Sequence, residues 1–194
     1  KPFSKDRDGF VIAEGAATLV LESLQSAIAR GAKVLGIVKG LGEKADHFHR
    51  TRSSPDGGPA IATIRAALED AGMDESGIGY INAHGTSTPE NDKMEYSSML
   101  AVFGEGLKGI PVSSNKSMIG HTLTAAGAVE AVFSIQTMLT GTLPPTINYT
   151  NPDPTIELDV VPNVKRDGAP KAVLSNSFGF GGQNASLVMT LEPA

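Results

Sequence analysis

The chain has 194 residues, is 40% hydrophobic and carries a net charge of −5, enough apolar content for one soluble domain whose core buries roughly 70% of the surface of the unfolded chain. Its sixteen basic and twenty-one acidic residues form no basic cluster of the kind that tracks a phosphate backbone, which argues against nucleic acid as a partner. Cysteine is absent, so disulfides, thiolate metal sites and a cysteine nucleophile are all excluded within these residues.

In chain order, "GFVIAEGAATLVLES" is apolar and β-branched enough to predict a strand. "LESLQSAIARGAK" then spaces Leu21, Leu24 and Ile28 at helical intervals before a stop at Gly31. "VLGIVKGLGEKAD" predicts a second strand, and the Pro- and Gly-bearing "HFHRTRSSPDGGP" a loop long enough to imply function or mobility. Ile61, Ile64, Ala67, Leu68 and Ala71 mark one face of a helix ending at Gly72. "IGYINAHG" follows as a short buried strand, "NDKMEYSSMLAVFG" as a helix and "IPVSS" as another short strand. From Leu123 to Leu139 small and apolar residues continue for about four turns, and a helix apolar almost all round is expected to be buried. The connector "GTLPPTINYTNPDP" reads as an ordered crossover, and "KAVLSNSF" and "ASLVMTLE", joined by "GFGGQN", as a closing hairpin. The alternation predicts an α/β fold with a mixed sheet covered on both faces. No apolar run reaches about 18 residues without a polar interruption and no basic-then-apolar leader opens the chain, so the expectation is a cytoplasmic protein without a membrane partner. The start at Lys1, without methionine, suggests a piece of a longer polypeptide.

Chemistry-bearing residues gather at the ends of predicted strands, where open α/β sheets assemble their sites. His84 directly follows one strand. It can donate an N–H to a developing oxyanion, or it can be a buried ring satisfied by a backbone carbonyl. Asp92 and Glu95 open the next helix, where carboxylates favour the positive end of the dipole; capping and chemistry both remain open. Lys116 and His121 bracket the start of the long helix. Glu130, fourteen residues after Lys116, shares its azimuth at roughly 100° per residue, but either Lys116 lies in the preceding loop and folds back or Glu130 is met by another segment. A charged residue in so apolar a helix also fits a plain buried ion pair.

"GFGG" lacks the following helix that phosphate loops need. Its glycines allow unusual backbone angles, and Phe178 and Phe180 either ride a movable loop or pack a tight turn. A zinc site built from His47, His49, His84 and His121 has neither a thiolate nor an HExxH spacing behind it.

Taken together and in order, "NAHGTSTPENDKME", "SSNKSMIGHTLTAAGAVE" and "NSFGFGGQN" resemble the C-terminal half of the β-ketoacyl-[acyl-carrier-protein] synthases of type II fatty-acid synthesis, over essentially the whole chain. The resemblance implies a thiolase-like fold with a mixed five-stranded sheet covered by helices, half of a layered αβαβα architecture, with residues 1–40 completing or bordering the N-terminal half. It implies decarboxylative Claisen condensation of an acyl-enzyme with malonyl-[acyl-carrier-protein], no organic cofactor, and a homodimer. The partner implied is acyl carrier protein presenting acyl and malonyl groups on phosphopantetheine.

On the matching positions, the resemblance gives His84 and His121 as the paired oxyanion donors and Lys116 as the buried lysine paired with Glu130, with Asp92 and Glu95 in support. Thr86 and Thr88 match contacts to the phosphopantetheine arm, Phe180 a gating phenylalanine and Phe178 its neighbour near the second substrate. Asp46, His49 and Thr51 match a second mobile loop, and Asn82, Glu130, Ser175 and Asn176 a monovalent-cation site. The chain departs from the family in lacking the nucleophilic cysteine, which the resemblance puts on the N-terminal half, so this chain alone is expected to be inactive. Ile119 and Gln183 stand where smaller or hydroxyl residues are common. The alternatives are a non-catalytic chain-length partner and a thiolase acting on coenzyme A esters, though thiolases carry a C-terminal cysteine that is absent here.

Overall fold

The computed structural model describes residues 1–191. Its elements are α1 (Leu24–Ala29), β1 (Ile37–Ala45), α2 (Gly58–Ala71), β2 (Tyr80–Asn82), α3 (Pro89–Phe103), β3 (Val112–Ser113), α4 (Lys116–Ile119), α5 (Ala126–Thr140), β4 (Thr142–Leu143), β5 (Arg166–Asp167), β6 (Ala172–Phe178) and β7 (Gln183–Thr190). Glu192, the last residue of the predicted closing strand, lies outside the described residues.

Five strands form one mixed sheet in the order β1-β7-β6-β2-β3, and β4, at the start of the predicted crossover, pairs with β5, beyond its end, in a small ribbon. β2 runs parallel to β3 and β6, while β7 is antiparallel to β6 and β1. Four strands therefore share one direction, and the loops after β1, β2, β3 and β6 emerge at the same end of the sheet.

Alternation along the strands divides the core. Ile81, Leu174 and Val188 face α2 and α3, packed on Ile64, Leu68, Met99 and Phe103. Tyr80, Val173 and Met189 face the other way, onto Ala131 and Met138 of α5. Each such side chain, fully buried, stabilises the fold by roughly 1.5–3 kcal/mol. The helices start and stop where their residues dictate. Thr88 caps α3 by accepting from the Asn91 N–H at 3.3 Å, with Pro89 in the first turn. α2 ends at Gly72 in the left-handed region.

Two expectations fail. Residues 9–23 form no strand. Only Ile12 makes an isolated bridge, to His121, and Val11, Ile12, Val20 and Leu21 are exposed, because no strand edge lies alongside to take up the backbone. The long helix is not buried all round either. It begins at Ala126, buries the face of Glu130, Ala131, Ser134 and Met138, and leaves Val132 and Leu139 exposed. By length and a mean hydropathy of 1.2, residues 123–140 could cross a membrane; here α5 lies along the sheet, against β6.

Candidate active site

His84 leaves β2 and Lys116 leaves β3, adjacent parallel strands, so both side chains arrive at the same sheet end. After Lys116 the chain makes one turn of helix, α4, and breaks at Gly120 (φ +73°). A Cβ at Gly120 would stand 2.7 Å from Ala13 Cβ, so only glycine fits the break. His121 lies beyond it, and α5 restarts in a new direction. The break is what folds Lys116 back onto Glu130, the pairing that an unbroken helix would forbid.

The imidazoles of His84 and His121 meet at 5.5 Å between centroids, with planes 85° apart. Lys116 Nζ has three donors and three acceptors: the His84 carbonyl at 2.7 Å, Glu130 Oε1, and His84 Nδ1 at 3.5 Å. The Leu123 N–H donates to His121 Nδ1 at 3.2 Å. Ammonium and amide can only donate, so each ring accepts at Nδ1 and keeps its proton on Nε2. Burial, then Lys116, then His121 hold His84 well below the ordinary histidine range. Burial and then Lys116 take His121 down to about 4. At neutral pH the pair is two uncharged N–H donors.

The two carboxylates brace this geometry. Glu95, fully buried, accepts the His84 and Gly85 backbone N–H groups at 2.8 Å each; burial pushes its carboxyl up to about 7 against those two bonds. Asp92 accepts the Phe3 N–H at 2.7 Å and the Ser87 N–H at 3.1 Å, and burial raises its carboxyl as well. Thr86 and Thr88 share a hydroxyl hydrogen bond of 2.9 Å. A cavity of about 320 Å³ opens beside Thr86, Lys116 and His121.

Phe178 is the last residue of β6, buried, with its ring 5.8 Å from His84, so it belongs to the sheet and not to a movable loop. Phe180 is 68% exposed on the hairpin. That hairpin is tied to the 46–54 loop: Asp46 N–H donates to the Gly182 carbonyl and Gly181 N–H to the Arg50 carbonyl, both at 2.7 Å. Thr51 is exposed, its N–H on His49 Nδ1 at 3.1 Å. Gln183 begins β7 and Ile119 ends α4.

Of the four cation-site residues, three come together. Asn82 Nδ2 donates to the Glu130 carbonyl at 3.5 Å, and Ser175 pairs with Asn82 across β2–β6. Asn82 Oδ1 and Glu130 Oε2 are buried with no hydrogen-bond partner, a pair of hard oxygens that suits a monovalent cation. Asn176 does not join through its side chain. Strand alternation turns it to the opposite face, where it donates to Glu95 at 3.4 Å and accepts from Ser186 at 2.8 Å. Among the described residues no group of three or more His, Asp or Glu side chains could hold a metal ion.

Sequence reasoning missed Phe10, whose ring meets His121 edge-on at 5.3 Å, because an aromatic ahead of an apolar run reads as core.

A family model for the β-ketoacyl synthase C-terminal domain matches residues 35–150, more than half of the chain. Over 187 residues the chain is 48% identical to a 3-oxoacyl-[acyl-carrier-protein] synthase 2 of Synechocystis sp., covering 96% of this chain and 45% of that protein. A Staphylococcus aureus protein of the same name is 46% identical over 188 residues, 97% of this chain and 47% of its own. Among solved structures, a type II polyketide ketosynthase in complex with its acyl carrier protein superposes with a TM-score of 0.95 at 41% identity, over 98% of this chain and 47% of that one. A β-ketoacyl synthase from Burkholderia phymatum does so with a TM-score of 0.93 at 41% identity, over 100% and 46%. The chain thus spans less than half the length of these relatives. Its sheet and helices are thiolase-like, the fold of these ketosynthases. With its mixed sheet, paired imidazoles and matched sequence, the chain belongs to the β-ketoacyl synthase family, corresponding to the C-terminal domain.

Proposed function

We propose that the protein to which these residues belong condenses an acyl-enzyme with malonyl-[acyl-carrier-protein], and that these residues supply the decarboxylation half of the site. The observation that carries this reading is the pair of neutral imidazoles, 5.5 Å apart, each with its Nδ1 occupied by a donor. The malonyl C2–carboxylate bond breaks, carbon dioxide leaves, and the electron pair moves onto the thioester oxygen as an enolate. Two Nε2–H groups stabilise that oxygen as charge develops, without giving up their protons. C2 then attacks the acyl thioester, the new C–C bond forms, the C–S bond breaks and the sulfur leaves as thiolate.

The sulfur comes from outside this chain, which has no cysteine; the unspanned half of the relatives' length is where we place it. Residues 1–40, largely exposed and, apart from α1 and the start of β1, mostly without regular structure, complete or border that half. Thr86 and Thr88 receive the phosphopantetheine arm of the carrier protein, while Phe180 gates the acyl pocket and the Asp46–Thr51 loop moves with it. The enzyme works as a cytoplasmic homodimer. A monovalent cation held by Asn82, Glu130 and Ser175 would steady the Glu130 carboxylate by offsetting its charge; Lys116 and Glu130 themselves fix the His84 ring.

In the intact protein, His121→Ala should lower carbon dioxide release from malonyl carrier protein by about 10²- to 10³-fold, the scale of losing one oxyanion donor, with the circular dichroism spectrum unchanged. Unchanged release would overturn the reading. Solved ketosynthase–chain length factor complexes are also similar, one with a TM-score of 0.93, which favours a second reading as a non-catalytic chain-length partner; normal carbon dioxide release by the wild type excludes it.

A further inference from the structure

His121 lies outside both α4 and α5, so neither helix satisfies its backbone. Its N–H donates to the Val11 carbonyl at 2.7 Å, and its carbonyl accepts from the Ala13 N–H at 3.0 Å. The same segment reaches the other histidine's loop two residues earlier, where Gly9 N–H donates to the Ser87 carbonyl at 2.8 Å. Ser87 is itself held at φ +69°, a conformation uncommon for a residue with a side chain. Upstream, the segment is anchored to the body of the domain. Phe3 is fully buried with its N–H on Asp92 at 2.7 Å, Lys5 N–H donates to the Asn151 carbonyl at 2.8 Å, and Arg7 donates to Asp153 at 2.7 Å. Phe10 adds its ring edge to His121.

We propose that residues 3–13 are a strap that sets the spacing of the two imidazoles, with Phe10 and the Ala13 amide as positioning residues for His121. The proposal rests on the paired-donor reading above. The anchored end, residues 3–7, holds the strap in place. The working end, residues 9–13, stitches the loop after His84 to the break before α5. Val11 and Ile12 point their side chains outward, 75% and 67% exposed, so the segment acts on His121 through its backbone and through Phe10. Without it the backbone N–H and carbonyl of His121 lose these partners, and the Leu123 N–H on Nδ1 is left to orient a ring whose backbone is no longer tied to the loop after His84.

The test uses the intact protein with two variants: an amide-to-ester replacement at Ala13, which removes the N–H donor and leaves every side chain in place, and Phe10→Leu, which replaces the ring edge by an aliphatic group. Malonyl carrier protein is the substrate, and kcat and KM for decarboxylation, its pH profile and Tm are measured. A misplaced donor should cost at least about tenfold in kcat with KM held within about twofold. Lys116 and His84 are the titratable groups facing His121; a ring freed into water loses its burial, so the acid limb should move up from about 4 toward the ordinary histidine value. Unchanged kcat in both variants overturns the strap, and so does a loss that only follows Tm or KM. His121→Ala in the same assay separates the two ideas. If it decarboxylates normally, the paired-donor reading fails; if it is inactive while both strap variants are normal, the strap alone fails.

Discussion

Lys116 and Glu130 show what one buried ion pair does here. Removing only the cation in Lys116→Ala leaves Glu130, 1% exposed, with no opposite charge, and the expected loss is about 3–5 kcal/mol in urea unfolding. A Lys116→Met/Glu130→Gln double variant should recover most of that stability yet not the decarboxylation rate, since nothing then donates to His84 Nδ1. Equal rates in the double variant and the wild type would count against the lysine's orienting role. The histidines also make stability depend on pH. Their folded values lie below the ordinary 6.5, His121 at about 4, so from 6.5 downward the unfolded chain binds protons that the folded one refuses. The histidine contribution to stability should therefore fall as pH drops from 6.5 to about 4, opposed by Glu95, whose carboxyl is pushed up to about 7, and the difference between the wild type and His121→Gln isolates the His121 part. Urea midpoints at pH 7 and pH 5 check it.

At the scale of elements, the contact of β1 with α2 and the β6–β7 hairpin make different demands. Gly42 passes so close beneath α2 that a Cβ would stand 2.0 Å from the Thr63 carbonyl oxygen, a backbone atom that cannot swing aside. Gly42→Ala should cost about 1–3 kcal/mol or more by pushing helix from sheet, read as a lowered denaturant midpoint with the slope unchanged. Phe180, on the hairpin, is largely exposed. Phe180→Ala should change stability by no more than about 0.5 kcal/mol while altering acyl transfer to the enzyme. A large drop in Tm with normal transfer would make Phe180 a packing residue.

For the whole molecule, chemistry is split between what these residues contain and what they lack. They hold two facing imidazoles but no thiol. Incubated alone with acyl carrier protein bearing an acyl group, this chain should show no acyl adduct by intact mass spectrometry; an adduct would mean that a hydroxyl or amine here accepts the acyl group. The stretch from Val11 to Leu21, without regular structure beyond the bridge at Ile12, leaves the apolar side chains of Val11, Ile12, Val20 and Leu21 exposed among the described residues.

The sequence by itself located β1, α2, β2, α3, β3, the helical stretch that holds α5 and the closing β6–β7 hairpin, though not the short β4–β5 ribbon, because periodicity and glycine stops are local properties. It also ruled out a Lys116–Glu130 contact along one unbroken helix, leaving a fold-back or another partner for Glu130; the structure takes the fold-back, with Lys116 opening α4. Only tertiary structure decided where the helix breaks, since Gly120 is required by the approach of Ala13, more than a hundred residues away in sequence. Tertiary structure likewise turned Asn176 away from Asn82, left residues 9–23 without a strand neighbour and put Phe10 against His121. Each of these depends on what lies across a gap in space, and hydrophobic pattern along a chain carries no record of that.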